Sequence, residues 1–577
     1  VKNKFSLALV ALILVSLAAP AFVFTQTKRD QTNGSAGTNS TGKTGAPATV
    51  PGRRPRRLPG AATAAVAQDF SEALSVIQDH YVDGKKIDYN AVYKSSIMGM
   101  LRVLDPHSNY FDKEEFDEMQ TDQRSEYLGI GASIQNYTIG DSVDTYVAGT
   151  FQNAPASRAG LRFGDRIDAV DGISMHAKSS SEVRDKIRGP RGSHVKVTIT
   201  HANTGQSDVV EIIRDAVSQP SVPDAYMIRP GVGYIDMTHG FNYDTAEGLQ
   251  SALDFLHEQG MNSLVLDLRN NPGGFLDQAI HVAEAFLPAG QLILSQKGRN
   301  GVNDRTYNSQ NPNPDRTPLV ILVNDYTASA SEIVAGAMQD HDRALIVGQT
   351  SFGKGLVQSI IHLEYGTGLT LTSAKYYTPS GRLIQRDYSE GGFYNYIYRG
   401  GTLRDSKDGQ AKPAGPASRT DTGRPVYGGG GITPDEAVKP QTLTNTQVRL
   451  RDPIFFFSRE VASGRVPTLD KYKIDRAIEF GHDLQATDYS MNDAVFNAFK
   501  EYVAKDPNWK TFTPSLDRNR SVIEQQIRYQ LATAAYGTVT AVQVLTKEDP
   551  QIAKAIEVVP RARDLAMAAT RSRLQQP

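Results

Sequence analysis

Between Val232 and Gln349 the sequence repeats one rhythm, and that rhythm leaves few architectures open. Short, almost purely apolar runs (GVGYIDM, SLVLDLR, PLVILVN, ALIVGQ) alternate with amphipathic stretches (TAEGLQSALDFLHEQG, NPGGFLDQAIHVAEAFL, SASEIVAGAMQDH). A strand apolar on both sides must be buried on both, whereas a helix with one apolar stripe covers one face of a sheet. The pattern predicts an α/β layer on a buried sheet. Such sheets place their sites at the turns after strand ends, which is where chemistry is to be sought.

The flanking segments follow other rules. Residues 1–26 put Lys2 and Lys4 before a long apolar run, the pattern of either an export signal or a membrane anchor, so the protein is expected outside the cytoplasm, periplasmic or held at the inner membrane. Residues 27–65 are rich in Gly, Ser, Thr, Asn and Pro and read as a flexible linker; Arg53–Arg57 is its basic, solvated part. Residues 66–115 carry helical spacing at Leu74, Ile77 and Tyr81 and again at Ile97, Met100, Leu101 and Leu104, an N-terminal helical layer. From 116 to 217 short alternating runs broken by Gly and Pro predict a small half-open β domain with helices at APASRAG and SSSEVRDKIRG. The core is drawn at 218–440, with a polar, Gly-rich stretch at 389–430 read as a mobile insertion, and 441–577 as a C-terminal helical module. The fold class is therefore α/β multidomain.

Composition excludes several chemistries. With 62 basic and 63 acidic residues among 577 there is no global field for nucleic acid, and no nucleic-acid partner is expected. The absence of cysteine removes disulfides, thiolate metal sites and cysteine nucleophiles together. His107, His239, His341 and His362 are scattered, without close metal-ligand spacing, and read as structural or surface residues; no metal or other cofactor is expected.

Three turns in the core carry candidate chemistry. TASASEIVAGAMQD, residues 327–340, sets Ser329 and Ser331 at the mouth of a helix behind a buried strand, where free N–H groups face developing negative charge. Either serine fits a nucleophile there, and capping by Ser331 with Glu332 fits as well. GQTSFGKGLVQ holds Lys354 between two glycines; a desolvated ammonium there has a lowered pKa and can serve as a general base. It is not a phosphate loop of the Walker type, because Gly355 follows the lysine. In LDLRNNPGGFL, Gly273 and Gly274 allow close backbone approach, suited to an oxyanion hole or to a plain strand-to-helix turn.

Taken together, TASASEI, FGKGLVQ, DLRNNPGG, GITPD (431–435) and LDPHSNYF (104–111) resemble the carboxyl-terminal processing, or tail-specific, proteases, over roughly residues 66–440. The resemblance implies a serine endopeptidase with a serine-lysine dyad, in which the nucleophile lies 25 positions before the lysine; Ser329 stands at that distance from Lys354 and Ser331 at 23. It further implies Gln358 as the residue orienting Lys354, N–H groups of Ala330 and of Gly273 or Gly274 as the oxyanion hole, and Asp340 in a supporting role. Ser331 is left as a helix-start residue. Segment 116–217 is similar to a PDZ domain, with Tyr127, Leu128, Gly129, Ile130 and Gly131 as its carboxylate-binding turn, so protein or peptide substrates with unstructured C-termini are the expected partners. Arg188 in IRGPRG reads as a turn residue, with coupling of the PDZ domain to the active site as the alternative. Homo-oligomers through the helical regions and a regulatory adaptor are the further partners the pattern accommodates. The alternative function is a PDZ scaffold or partner-regulated pseudoprotease without turnover. One departure stands out: YYTPSGRLIQ and GITPD, close together in the family, are about forty residues apart here.

Overall fold

The computed structural model describes residues 61–388, Tyr396 and 415–575. The leader and linker readings for residues 1–60, and most of the insertion, lie outside them. Among the described residues no helix is long and apolar enough to cross a membrane.

The chain opens with α1 (Ala61–His80), α2 (Tyr89–Leu104) and α3 (Lys113–Asp122). The first five residues of α1 lie inside the segment read as linker, and α3 crosses the boundary drawn at 115. Asp88 starts α2 by accepting the Asn90 and Ala91 N–H groups, and Asp105 ends it before Pro106.

The next unit is a five-strand antiparallel array, β1 (Ala132–Ile139), β2 (Ser142–Thr150), β3 (Arg166–Val170), β4 (His194–Thr200) and β5 (Ser207–Ile213), with a two-residue strand beside β3. α4 (Ser180–Ile187), started by a Ser179–Glu182 capping box, closes one side with Val183 and Ile187 in the small core. β1 is an edge strand.

The expected α/β layer on a buried sheet is present. A six-stranded sheet runs in the order β6 (Asp224–Arg229), β7 (Val232–Asp236), β8 (Ser263–Asp267), β9 (Leu319–Val323), β10 (Ala344–Gly348) and Glu436–Ala437, parallel from β7 onward. Every residue of β8, β9 and β10 is buried, because helices cover both faces. α5 (Thr245–Glu258), α6 (Leu276–Glu284) and α7 (Ala330–Asp340) form one cover. α7 is buried at all eleven positions, since a second, antiparallel sheet closes over its outer side. That sheet contains β11 (Leu356–His362) and β12 (Gly368–Tyr377), and Asn109–Phe111 pairs along β12, bringing the LDPHSNYF segment to the lysine turn.

Two expectations are corrected. The C-terminal residues are not one module. α8 (Arg451–Ala462), α9 (Asp493–Lys505) and α10 (Arg520–Thr546) build an aromatic core shared with Tyr137, Tyr146 and Phe163 of the β domain. α11 (Pro550–Gln575) instead covers the second face of the six-stranded sheet with Ile552, Ala555, Val558 and Ala562. It is part of the core, and the sheet could not be apolar on both sides without it. Second, residues 415–430 are held in place: Ala417–Arg419 and Pro425–Tyr427 form a hairpin, Arg424 pairs with Asp342 and Asp435, and the Asp421 N–H donates to the Asp340 carbonyl at 2.9 Å. The low hydrophobicity that suggested mobility is offset there by ion pairs.

Candidate active site

The three turns singled out in the sequence follow β8, β9 and β10, neighbours in the parallel sheet, so they converge at its C-terminal edge. The turns are interlocked. The Ala328 N–H and the Ser331 hydroxyl both donate to the Asn271 carbonyl, at 3.0 and 3.2 Å, Thr327 Oγ1 donates to the Leu268 carbonyl at 2.7 Å, and the Phe352 N–H donates to the Thr327 carbonyl at 2.9 Å. Ser331 is thus not a cap; it anchors the helix start to the Asn271 turn.

Ser329 is the N-cap of α7 and has φ 57° and ψ −116°. A non-glycine residue in that region costs of order 1–3 kcal/mol and persists only where its surroundings fix it. The conformation matches a strained strand-to-helix elbow that lifts the side chain off the sheet. Glu332 holds it, accepting the Ser329 N–H at 2.9 Å.

Glu332 does more than that. Its carboxylate, wholly buried, also accepts the Gly353 N–H at 2.7 Å, the Lys354 N–H at 2.8 Å and the Ser351 hydroxyl. Burial raises its pKa while these donors act against the rise. Four donors and no acceptor is the arrangement an ionised carboxylate requires. Tyr376 adds a second bridge: its hydroxyl lies 3.0 Å from the Ser329 carbonyl and 2.5 Å from that of Lys354. The serine and lysine turns are therefore tied through both N–H and C=O groups. Neither Glu332 nor Tyr376 was singled out from the sequence; the spacing of Glu332 within the TASASE string was the one signal, and it read as an ordinary helix-start acid.

Lys354 is buried, and desolvation lowers its pKa from 10.5 to about 8 against the opposing pull of Glu332 and Asp105. His107 is nearby: burial first, then the charges of Lys354 and Arg386, push its pKa down to about 2, so it is neutral at every working pH. Its ring accepts or donates at Tyr396 Oη, 2.6 Å away. His239, His341 and His362 meet a backbone carbonyl, Asp421 with the Leu292 carbonyl, and the Phe116 ring, respectively. Gln358 is buried on β11, where its amide donates to Thr372 Oγ1 at 3.2 Å. Asp340, at the other end of α7 from Ser329, forms a buried ion pair with Arg382 and accepts the Ser380 N–H. Among the described residues no group of three or more His, Asp or Glu is placed to hold a metal ion.

The glycine pair divides into two roles. A Cβ on Gly273 would stand 2.7 Å from the Ala328 carbonyl oxygen and 2.8 Å from both the Ala330 nitrogen and Ser329 Cβ, so this turn lies directly against the serine. The Gly273 N–H, however, donates to Asn271 Oδ1 at 2.9 Å, within its own turn. Of the two alternatives, Gly274 is the one with a free donor: its N–H has no hydrogen bond among the described residues, and neither does that of Ala330. Gly274 itself is packed on Phe241, whose carbonyl oxygen would be 2.1 Å from an added Cβ. Gly273→Ala is expected to lower stability by about 2 kcal/mol or more, from a φ of 91° and unavoidable backbone contact, and to reduce peptide cleavage at least tenfold. Thermal denaturation with a peptide assay checks both; wild-type values in either would refute the close-packing argument.

In the β domain, Tyr127, Leu128 and Gly129 lie in the strand Glu126–Gly129, paired with Asp215–Ser218, and Ile130 and Gly131 turn the chain into the edge strand β1. Arg188 does not stabilise the IRGPRG turn, which is held by Arg214 through the Lys186, Ile187 and His194 carbonyls. Arg188 instead lies over the Tyr127 ring and pairs with Glu118 of α3.

Residues 231–391 match the model of peptidase family S41 and residues 152–200 that of the PDZ domain. The chain is similar to a carboxy-terminal-processing protease of Bartonella bacilliformis, 37% identical over 326 residues, covering 55% of this chain and 72% of the relative. It is likewise similar to a carboxyl-terminal-processing protease of Synechocystis, 36% identical over 296 residues, covering 51% and 68%. Among solved structures the photosystem II D1 C-terminal processing protease aligns at 28% identity over 64% of this chain and 92% of that one, with a TM-score of 0.33. The chain belongs to the carboxy-terminal-processing proteases of peptidase family S41, serine-type peptidases bearing a PDZ domain.

Proposed function

We propose that this enzyme cleaves peptide bonds with a Ser329–Lys354 dyad, in protein chains whose unstructured C-terminus is held by the PDZ domain. The observation that carries the reading is Glu332: one buried carboxylate accepts the backbone N–H of both residues and so fixes the two turns on a single anchor. Neutral Lys354 takes the hydroxyl proton as Ser329 Oγ attacks the scissile carbonyl. The N–H groups of Ala330 and Gly274 receive the oxyanion, aided by the positive end of α7. The lysine then gives its proton to the leaving amine, and water, deprotonated by Lys354, releases the acyl group from Ser329. Gln358 is assigned to the lysine's surroundings rather than to proton transfer.

A serine-directed fluorophosphonate should label Ser329 alone, read by peptide mapping, while the unlabelled enzyme cleaves a peptide with an apolar C-terminus. Labelling elsewhere, or cleavage that survives labelling, would overturn the dyad. The pH dependence is a second test. Protonated Lys354 cannot act as a base, so kcat/KM should rise with pH through a midpoint at about 8 and at pH 6 lie about a hundredfold below its plateau. A profile flat from pH 6 to 9 would exclude a lysine base.

We place the enzyme outside the cytoplasm, on the strength of the Lys-flanked apolar run in residues 1–26. α1 and α2 expose Val66, Phe70, Ile77, Met100 and Leu104, an apolar surface that supports association with a second copy. Sedimentation of residues 61–577 should give a dimer; a monomer at micromolar concentration would refute it.

A further inference from the structure

β1 has one strand partner, β2, and α4 lies along its other side. A tail bound between them would run antiparallel to β1 from the Tyr127–Gly131 turn. From Asn136 onward that path is closed. The Asn136 side chain spans the slot: Nδ2 donates to the Lys178 carbonyl at 2.8 Å, and Oδ1 accepts the N–H of Ser180, the first residue of α4. Its backbone is occupied too, because Arg451 Nη2 donates to the Asn136 carbonyl at 3.3 Å and the Asp452 carboxylate faces the Thr138 N–H. In an antiparallel strand, residues two apart turn their hydrogen-bonding groups to the same side. Asn136 and Thr138 are thus the edge groups a longer tail would need, and the first two residues of α8 hold both.

This contact is firmly seated. Tyr137 stacks on Phe455 of α8, with ring centroids 3.6 Å apart and planes 4° from parallel, and the Arg451 guanidinium lies 5.4 Å from the same ring. Tyr137 and Phe455 are both buried. Arg459 of α8 donates to the Gly164 carbonyl, and Arg465 beyond it to the Ala202 carbonyl, so the helix is held to the β domain at several points. Ala132 to Asn136 are all partly exposed, so the block at Asn136 lies in its occupied hydrogen-bonding groups rather than in burial.

We propose that α8 is a built-in stop at the far end of the PDZ groove, so that the domain reads only about the last four residues of a tail, one opposite each of Ala132 to Gln135. The inference rests on the PDZ domain being the tail reader. Residues upstream of those four must leave the strand direction at Asn136, which selects substrates whose chain is free to bend there.

The test uses the full chain carrying Ser329→Ala and fluorescein-labelled peptides of three to about ten residues that share their last four residues and end in a free valine carboxylate. Fluorescence anisotropy should give a Kd that falls up to about four residues and is flat beyond. Adding Asn136→Ala, Arg451→Ala and Asp452→Ala together should let the longest peptide bind about tenfold tighter than the four-residue one. Affinity that keeps rising with length in the unopened groove overturns the stop, as does a flat profile in a folded triple variant; if the triple variant does not fold, the length series on the parent decides alone. Equal binding of an amidated peptide, or no binding at any length, would instead remove the tail-reading assignment, and the stop with it.

Discussion

Ser329→Ala should yield a folded protein whose kcat/KM for a peptide with an apolar C-terminus is reduced about 10⁴-fold or more, the scale on which loss of a nucleophile is felt. The fold should survive because the hydroxyl bears no structural load. The elbow is fixed through the backbone, by Glu332 at the Ser329 N–H and by Tyr376 at its carbonyl, and alanine keeps both contacts. Ser331→Ala is the informative control. Its hydroxyl donates to the Asn271 carbonyl in a fully buried setting, so its loss should cost about 1–2 kcal/mol of stability and only a modest part of the rate. The comparison needs one cleavage assay and one thermal melt per variant. Equal rate losses in the two, or turnover persisting in Ser329→Ala, would end the assignment.

Why Ser329 was legible while its anchor was not is a matter of where the information lies. The apolar runs 263–267, 319–323 and 344–348 dictate a buried parallel sheet, and adjacency in that sheet brings the turns after them together. Glycines flanking Lys354 announce a tight, enclosed turn, and burial there does lower its pKa. Glu332 carries no such mark. A glutamate in the first turn of a helix is stabilised by the helix dipole wherever it occurs, so nothing local reveals that it also receives two N–H groups and a hydroxyl from residues 351–354. Tyr376 is similarly hidden within an alternating strand. Periodicity shows that α11 has an apolar stripe but cannot name its partner, and the second apolar face of the sheet, which needs a cover, is the missing half of that argument. The split roles of Gly273 and Gly274 depend on one side-chain bond from Asn271, which no glycine pattern encodes.

Lys354→Met separates function from stability most sharply. Methionine is close to lysine in length and apolar, so it fills the same buried volume without a charge. Turnover should fall by about 10⁴-fold, since the neighbouring imidazole of His107 is a poor substitute base: burial, the chief cause of its lowered pKa, stays in place when the Lys354 charge is removed. Stability should move the other way. A lysine with a folded pKa of about 8 binds fewer protons than the unfolded chain at every pH between about 8 and its unfolded value near 10.4, so stability rises with pH across that window and the full penalty applies below it. The gap corresponds to about 3 kcal/mol at pH 7. Removing the charge should recover a large part of it, less whatever attraction Glu332 loses, and Glu332 keeps its three N–H donors and the Ser351 hydroxyl. Denaturant unfolding at pH 7 should therefore show Lys354→Met more stable than the parent, with the advantage shrinking to nothing as both are compared above about pH 10. A variant that is less stable at pH 7, or one that still cleaves peptide, would show that the ammonium is not held at a cost for catalysis.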